Sequence, residues 1–489
     1  MSLLRLRAAI VLAMALLPSA LAAQELTPLA AAVHLHSDLS TGAYTLEELS
    51  QMAERQGLGA LLISENYLNR VDYGMPPFRA LTRVSQESPS VRWRLDEFRE
   101  RVSRARAARP GVLIVPGVEI MPHYRWSGSP FALDLSISDT QKNVLAFGLT
   151  DPAILAAIPA IGNDVAGGYS VQSALEALPV ILVIPGVLLF FVKRPRRRRI
   201  GAAVMIVRER QWVPATILCA LAVATLVRGW PFTETPYPAY ADYGSAPYQA
   251  VIDYVEQHGG VAMWSFPEAS DRGTQSVGPV RVSWSTEPYA DELLRTFRYT
   301  AFGALYEETT RVERPGGGWD RLLGQYAAGE RSRPAWGLGE SGYHDSNAGK
   351  QLGRVQTVFL VRERTEAGLL EALRAGRLYA RLRTPKTALT LAEFGAQSGA
   401  ATALAGETLR AAPGATLTLT VVLEAGGDAA TDLRVVLVKD GAIAEAWTGA
   451  TPFRGTHRET WDGRPAVFRL EARGAGGRLL SSPIFVRPS

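Results

Sequence analysis

Cysteine is nearly absent from this chain. Its 489 residues include one, Cys219, so an internal disulfide framework is excluded. Cys219 lies in an apolar stretch, where a buried thiol is expected rather than a reactive one. The chain is also too long for one ordinary domain, so several structural units are expected.

Histidine is scarce as well, and two of the six are separated by a single residue in His34-Leu35-His36. Side chains alternate along a strand, so residues two apart point to the same face. Two imidazoles on one face are typical of a metal site. A strand end with two surface histidines is the alternative. The Ser37, Asp38 and Gly42 that follow favour a site.

An excess of basic over acidic residues is missing from most of the chain, although the net charge is +5. The excess is confined to Arg5 and Arg7 and to residues 193–210, and the remainder is net negative. A nucleic-acid partner is therefore not expected, because such a partner needs a basic face. The local excess is instead a signal of membrane topology.

Residues 1–23 have the pattern of a secretory signal peptide. Arg5 and Arg7 precede the apolar run Ala8–Leu17, and small residues at 18–22 suit cleavage. An uncleaved anchor is the alternative reading. Either version places the following residues outside the cytoplasm.

Two further apolar stretches, 174–192 and 212–232, approach the length that a membrane span needs. The arginine-rich segment 193–211 between them is predicted to be a basic cytoplasmic loop by the positive-inside rule. A buried core hairpin is the alternative, but burying a run of arginines would be costly. The large flanks then lie on the same extracytoplasmic, periplasmic side of a bacterial cell membrane.

Strands and helices alternate in the flanks 24–173 and 233–384, which predicts a parallel α/β sheet or barrel. Residues 385–489 show short strands and Gly-rich turns without helical periodicity, which predicts a β-sandwich. Its His457 is expected in a solvated loop. The predicted strands are 31–36, 59–63, 111–120, 144–149, 261–266, 304–307, 335–338 and 357–361, and the predicted helices are 45–56, 91–109, 248–258, 319–328 and 366–375.

An ordered set of motifs lies at the ends of these strands. They are His34-Leu35-His36-Ser37, Leu62-Ile63-Ser64-Glu65-Asn66, Pro116-Gly117-Val118-Glu119-Ile120, Asn143 to Gly148, Gly259 to Pro267, and Gly339-Glu340-Ser341-Gly342-Tyr343-His344. The set resembles the PHP (polymerase and histidinol phosphatase) superfamily, and within it secreted metallohydrolases of the CehA/McbA type. The resemblance covers roughly 30–150 and 245–380.

The resemblance implies a distorted seven-stranded β/α barrel that holds up to three divalent ions, usually Zn or Mn, in a hydrolase of phosphoesterase type. The membrane hairpin is then an insertion in the barrel. The family's ligand positions are matched by His34, His36, Glu119 and His344, with Glu65 as a further carboxylate. Where the family has other ligands, this chain has Asn66, Asn143, Phe266 and Gly342. We therefore expect one ion rather than three.

A bound ion would activate a water and polarise a phosphoryl or carbonyl oxygen of a small-molecule substrate. Glu65 is expected as a ligand or general base, and His344 as the group that orients or protonates the leaving group. His123 is either a replacement ligand or, preferably, a surface loop residue. The competing hypothesis is a catalytically degenerate domain that binds a metal or ligand, or acts as a scaffold, at the membrane surface.

Overall fold

The structure, a computed structural model, describes residues 26–489 except 77, 202, 309, 348, 385–387, 427–429 and 476. The predicted signal peptide lies outside the described residues. The first flank contains β1 (Thr27–Leu35), α1 (Leu46–Arg55), β2 (Ala60–Ile63), β3 (Glu65–Asn66), β4 (Arg70–Tyr73), α2 (Arg79–Thr82), β5 (Val84–Glu87), α3 (Leu95–Ala108), β6 (Leu113–Val115), β7 (Gly117–Ile120), β8 (Arg125–Ser129), β9 (Asp134–Ser138), β10 (Val144–Phe147) and α4 (Pro152–Ala156).

The apolar region and the second flank follow. The apolar region contains α5 (Val171–Ala177), α6 (Val183–Phe191), β11 (Lys193–Ile200), β12 (Ala203–Arg210) and α7 (Trp212–Gly229). The second flank contains α8 (Ala246–Gln257), β13 (Val261–Trp264), β14 (Asp271–Val277), β15 (Val280–Thr286), α9 (Glu292–Arg295), β16 (Ala301–Leu305), α10 (Gly318–Ala327), β17 (Trp336–Gly339), β18 (Val355–Val361), α11 (Glu366–Ala375) and β19 (Leu378–Arg383).

The C-terminal region is built of strands in the part that the structure describes. They are β20 (Leu389–Ser398), β21 (Ala401–Leu404), β22 (Thr408–Ala411), β23 (Thr416–Ala425), β24 (Asp432–Lys439), β25 (Ala442–Ala450), β26 (Phe453–Thr460), β27 (Ala466–Gly474), β28 (Gly477–Ser481) and β29 (Ile484–Pro488). His457 is on β26 and not in a loop, which corrects the sequence prediction. Its ring lies 3.3 Å from carboxylate oxygens of Glu445 and Glu459.

The alternation of strands and helices in the flanks is confirmed, and local signals explain the helix starts. Thr45 caps α1: its side chain accepts a bond from the Glu48 amide, and the Glu48 carboxylate accepts one from the Thr45 amide. This reciprocal pair satisfies two amides that the first helical turn leaves unpaired. One face of α1 then buries Leu46, Leu49 and Ala53 in the core.

The strands of the flanks form a larger and a smaller sheet. The larger sheet has the order β22-β29-β27-β28-β19-β18-β1-β2-β6, and the smaller has the order β17-β16-β13-β10-β7-β3. The sheets adjoin where Ser64 alone separates β2 from β3. They also adjoin where the Tyr343 amide, beyond β17, donates to the His34 carbonyl near the end of β1. The closed seven-stranded barrel remains a prediction.

Two of the predicted strands run against the expected direction. One is β18, which pairs antiparallel with β1. The other, β10, pairs antiparallel with both β7 and β13, whereas the sequence pattern predicted parallel strands. Its N-terminal end therefore lies at the edge where β7 and β13 have their C-terminal ends. This reversal brings Asn143, just before β10, to the same edge as Glu119.

The C-terminal strands are continuous with the larger sheet. β28 pairs antiparallel with β19, and the opposite layer has the order β21-β20-β23-β26. The buried side chains between the layers include Leu419, Leu437 and Phe468. This arrangement agrees with a two-layered, sheet-rich C-terminal region, while the domain limits at 384/385 remain a prediction.

Two helical segments among the described residues, Val171–Phe191 and Trp212–Gly229, are long and apolar enough to cross a membrane. Only 11% and 17% of their apolar windows are buried. They contact each other closely at Gly186, where a Cβ atom would lie 2.7 Å from the Sγ of Cys219. Cys219 is therefore half-buried between the helices, rather than fully buried as predicted.

The segment between these helices is not a loop. Residues 193–211 were predicted as one, but β11 and β12 form an antiparallel hairpin from Lys193 to Arg210. The β-branched residues Val204, Ile206 and Val207 of β12 suit an extended strand. Glu209 pairs with Arg196 and Arg198 across the hairpin. The two arginines are exposed and Glu209 is partly exposed, which suits a solvated hairpin.

Candidate metal centre

The two histidines come together because β1 is irregular at its end. The pairing of β1 with β2 shifts register between Val33 and Leu35, and His34 has a φ of +68°. Such a bulge inserts an extra residue and redirects its side chain. His36 follows the strand. The rings converge, as the sequence analysis expected, but through a bulge rather than by simple strand alternation.

Glu119 on β7 completes a group of three donors. Its Oε1 is 3.4 Å from His34 Nε2, its Oε2 is 3.4 Å from His36 Nε2, and the two Nε2 atoms are 3.0 Å apart. Two donors bound to one zinc ion at about 2.0–2.2 Å lie roughly 3–3.5 Å apart at ordinary bond angles. The spacing therefore fits a single ion.

Each histidine is held from behind by an acceptor. His34 Nδ1 lies 2.7 Å from the buried Glu340 carboxylate, so it is the protonated nitrogen and donates there. His36 Nδ1 lies 3.3 Å from the Ser40 hydroxyl, which itself donates to Glu65. Both Nε2 lone pairs are thereby directed at the space beside Glu119. Carboxylates behind metal-binding histidines fix the tautomer and ring orientation in this way.

The charges in the group favour a cation. Burial opposes ionisation of Glu119, but the neighbouring histidines hold its pKa at about 2. Burial also disfavours the charged form of His34, yet Glu119 and Glu340 raise its pKa to about 10. Burial keeps the pKa of His36 well below its usual value. In the metal-free protein, one proton therefore occupies the place where an ion would sit.

Glu65 lies behind His36 and outside this group. Its carboxylate accepts bonds from the Ser37 amide at 3.0 Å, from the Ser37 hydroxyl at 2.5 Å and from the Ser40 hydroxyl. Burial raises its pKa, against the effect of these donors. The geometry makes Glu65 a support for His36. Its role as ligand or general base stays a prediction, which these contacts do not favour.

His344 lies at the rim of the group. Its ring stacks on His36, with centroids 4.2 Å apart and planes at 6°, and its Nδ1 is 3.0 Å from the Thr41 hydroxyl. Burial lowers its pKa, so the imidazole is neutral at pH 7. It is close enough to contact a substrate, and its role as a ligand or acid stays a prediction.

His123 lies away from the group. It is buried, not on the surface as preferred from the sequence, and its Nε2 is 3.3 Å from the Pro238 carbonyl oxygen. Its ring packs edge-on against Tyr243. These contacts make it a packing residue of the loops around the site.

Glu340 and Ser265 contact His34 and were not among the site residues predicted from the sequence. Glu340 follows β17 directly and accepts bonds from Ser265 Oγ at 2.7 Å and from the Phe266 amide at 2.9 Å. Like the predicted ligands, Glu340 lies at the end of a strand, and this position could have indicated that it belongs to the site. Its role as a support could not be inferred without the fold.

The departures from the PHP pattern are neighbours in space. The ring of Phe266 lies beside Gly342, where a Cβ atom would be 2.6 Å from the ring carbons, and it contacts His34 at a centroid distance of 5.2 Å. Asn143 donates to Glu119 Oε1 at 2.8 Å, and Asn66 donates to Thr41 at 3.0 Å. The space beside His34 is thus filled by an aromatic ring.

Comparisons with known proteins give only distant similarity. No family model and no curated protein matches the chain. Solved structures that resemble it include a two-domain protein from Bacteroides vulgatus, described as containing a PHP-like metal-dependent phosphoesterase, at 13% identity and TM-score 0.34, over 94% of this chain and 95% of that chain.

Two further structures cover 66% of this chain at 14% identity. One is described as a metal-dependent phosphoesterase from Bifidobacterium adolescentis, with TM-score 0.28 and 90% of that chain covered. The other is an amidohydrolase from Chromobacterium violaceum with bound sulfate and no metal, with TM-score 0.29 and 89% of that chain covered. The case for a metal centre therefore rests on the residues of this chain.

Proposed function

We propose that this protein is a membrane-anchored, extracytoplasmic metal-dependent hydrolase of phosphoesters. His34, His36 and Glu119 would hold one divalent ion, Zn or Mn. The observation that carries the proposal is the pair of Nε2 atoms directed at Glu119, with both Nδ1 atoms occupied by supporting acceptors. Two imidazoles and one carboxylate leave coordination positions open for reactants.

When bound, such an ion activates water near neutral pH and polarises a phosphoryl oxygen. Side chains of this protein would orient the ligands and transfer protons. Glu340 and Ser40 keep the histidines in the metal-binding tautomer, and Asn143 holds Glu119 in place. The neutral His344 at the rim is placed to accept or pass on a proton, with Thr41 fixing its ring.

The apolar helices support anchoring in a membrane. Side chains such as Val213 and Val227 are more than 70% exposed, which a water-soluble surface does not favour. The basic β11–β12 hairpin would lie on the cytoplasmic side by the positive-inside rule, and both flanks would lie outside.

The test is hydrolysis of p-nitrophenyl phosphate by the detergent-purified full chain supplied with Zn²⁺ or Mn²⁺. Metal-dependent turnover should be abolished by His34→Ala and kept by His258→Ala. His258 is exposed, and its ring contacts the carbonyl and the ring of Tyr254 at the end of α8. Equal rates for the His34→Ala variant and the unmodified protein would refute the proposal.

A non-catalytic metal- or ligand-binding module is the second candidate. Phe266 at the centre of the site favours it, because its ring takes space beside His34 that a reactant would otherwise use. A protein that binds an ion through His34 and His36 but hydrolyses no phosphoester would support this alternative.

A further inference from the structure

A cavity of about 570 Å³ opens at the metal-site end of the smaller sheet. It lies between the hairpins β4–β5 and β14–β15 and the β8–β9 pair. Each of these inserts follows a strand of the smaller sheet, namely β3, β7 and β13. Because β3, β7 and β13 end at the metal site, the three inserts form walls around its approach. Loops at this edge of α/β folds commonly carry specificity.

The walls of this cavity are mainly apolar. Val71, Ile137 and Val282 line it, together with the rings of Trp126 and Trp284. Its volume falls in the range of about 300–1,000 Å³ that is usual for sites of small organic ligands. Such walls bind an apolar group by removing it from water.

A short stretch of chain connects the cavity to the candidate metal centre. Gln141 lines the cavity two residues before Asn143, whose amide holds Glu119. The Tyr289 hydroxyl donates to the Ser265 carbonyl, and the Ser265 hydroxyl lies 3.2 Å from His34 Nδ1. This proximity along the chain would let a molecule with an apolar part in the cavity present a polar end at the candidate metal centre.

The opposite wall is fixed to the ends of the apolar helices. Thr82, at the end of α2, lines the cavity. Arg228 near the end of α7 donates to the Leu81 carbonyl at 2.9 Å and to the Arg83 carbonyl at 2.7 Å. Arg79 of α2 pairs with Glu176 near the start of the first apolar segment at 3.4 Å. If these helices span a bilayer, the cavity lies at its surface.

From this arrangement we infer that the cavity binds the alkyl chain of a membrane lipid whose phosphoester is the substrate. The inference rests on the proposed hydrolase function and adds its substrate class. Hydrolysis would form a phosphorus–oxygen bond from water and break the one to the lipid alcohol, which leaves with a proton. Each methylene buried in the cavity should increase binding about fourfold.

The experiment compares ethyl, butyl and octyl phosphate as substrates of the full chain in phosphatidylcholine nanodiscs. We expect kcat/KM to increase at least tenfold from ethyl to octyl phosphate, mainly through KM. Val71→Asp with Val282→Asp should remove this increase. Val84→Asp is a milder second variant, because Val84 lines the cavity and is 60% exposed. Ile443→Asp is the control, because Ile443 is a similarly exposed side chain on β25.

A binding readout separates this inference from catalysis. Quenching of tryptophan fluorescence by 8-bromooctyl phosphonate should be weaker in the Trp126→Phe, Trp284→Phe variant, with or without metal. Equal kcat/KM for all three esters, with undiminished quenching in that variant, would overturn the inference and leave the hydrolase proposal standing. If no ester is hydrolysed, the hydrolase proposal fails and this substrate class fails with it.

Discussion

The candidate metal centre has two halves, which are lined by different kinds of side chain. In the retained half, Glu340 accepts directly from His34, and Glu65 supports His36 through the Ser40 hydroxyl. In the closed half, Phe266 fills the space next to Gly342, and Asn143 donates to Glu119. Donor atoms that could hold an ion therefore lie on one side of the candidate site, and the other side is closed by an aromatic ring.

The largest expected effect comes from introducing ligand-type side chains into the closed half. Phe266→His with Gly342→Asp replaces the aromatic ring by a donor and adds a carboxylate beside it. Gly342 has a φ of +53°, which Asp tolerates better than most residues. We expect about one additional ion per chain, because the new donors would border His34. Metal analysis measures this, with Phe266→Leu as the control. Unchanged metal content in a folded double variant would show that the halves do not differ in this way.

The next effect concerns the support of the retained half. Glu340→Gln keeps the shape but removes the charged acceptor behind His34, so metal affinity should fall about 10- to 100-fold. Competition with a chromophoric chelator measures the affinity. Asp291→Asn, at an exposed carboxylate before α9, is the control and should change nothing. An unchanged affinity in Glu340→Gln would mean that Glu340 does not support the ligand.

The third effect is a pH dependence of metal affinity. Because His34 has a pKa raised to about 10 and His36 one well below its usual value, binding of one ion should release one proton near pH 7. Affinity should rise about tenfold per pH unit from pH 7 towards pH 9, since the competing proton is lost as pH approaches 10. Calorimetry in buffers of different ionisation enthalpy measures the proton count. A count of zero would contradict this electrostatic account.

Much of the fold could be predicted because its signals are local. The capping pair Thr45 and Glu48, the apolar strands and the exposed apolar helices are each encoded within a few residues. The direction of β10 could not be predicted, because it depends on pairing with distant strands. The β11–β12 hairpin was also missed, since clustered arginines indicate topology rather than secondary structure.

The residues of the candidate site also differ in whether they could be predicted from the sequence. His34 and His36 were found from their spacing, although a bulge rather than alternation brings them together. Glu340 was missed because its role depends on a contact 306 residues away in the chain. The fit of Phe266 against Gly342 likewise exists only in three dimensions.

Metal content of the detergent-purified full chain tests the central claim most directly. Plasma mass spectrometry should find about one Zn or Mn per chain. The ion should be lost in His34→Ala, His36→Ala and kept in His258→Ala. Absence of metal from the unmodified protein after incubation with either ion, or equal metal in the His34→Ala, His36→Ala variant, would contradict the account.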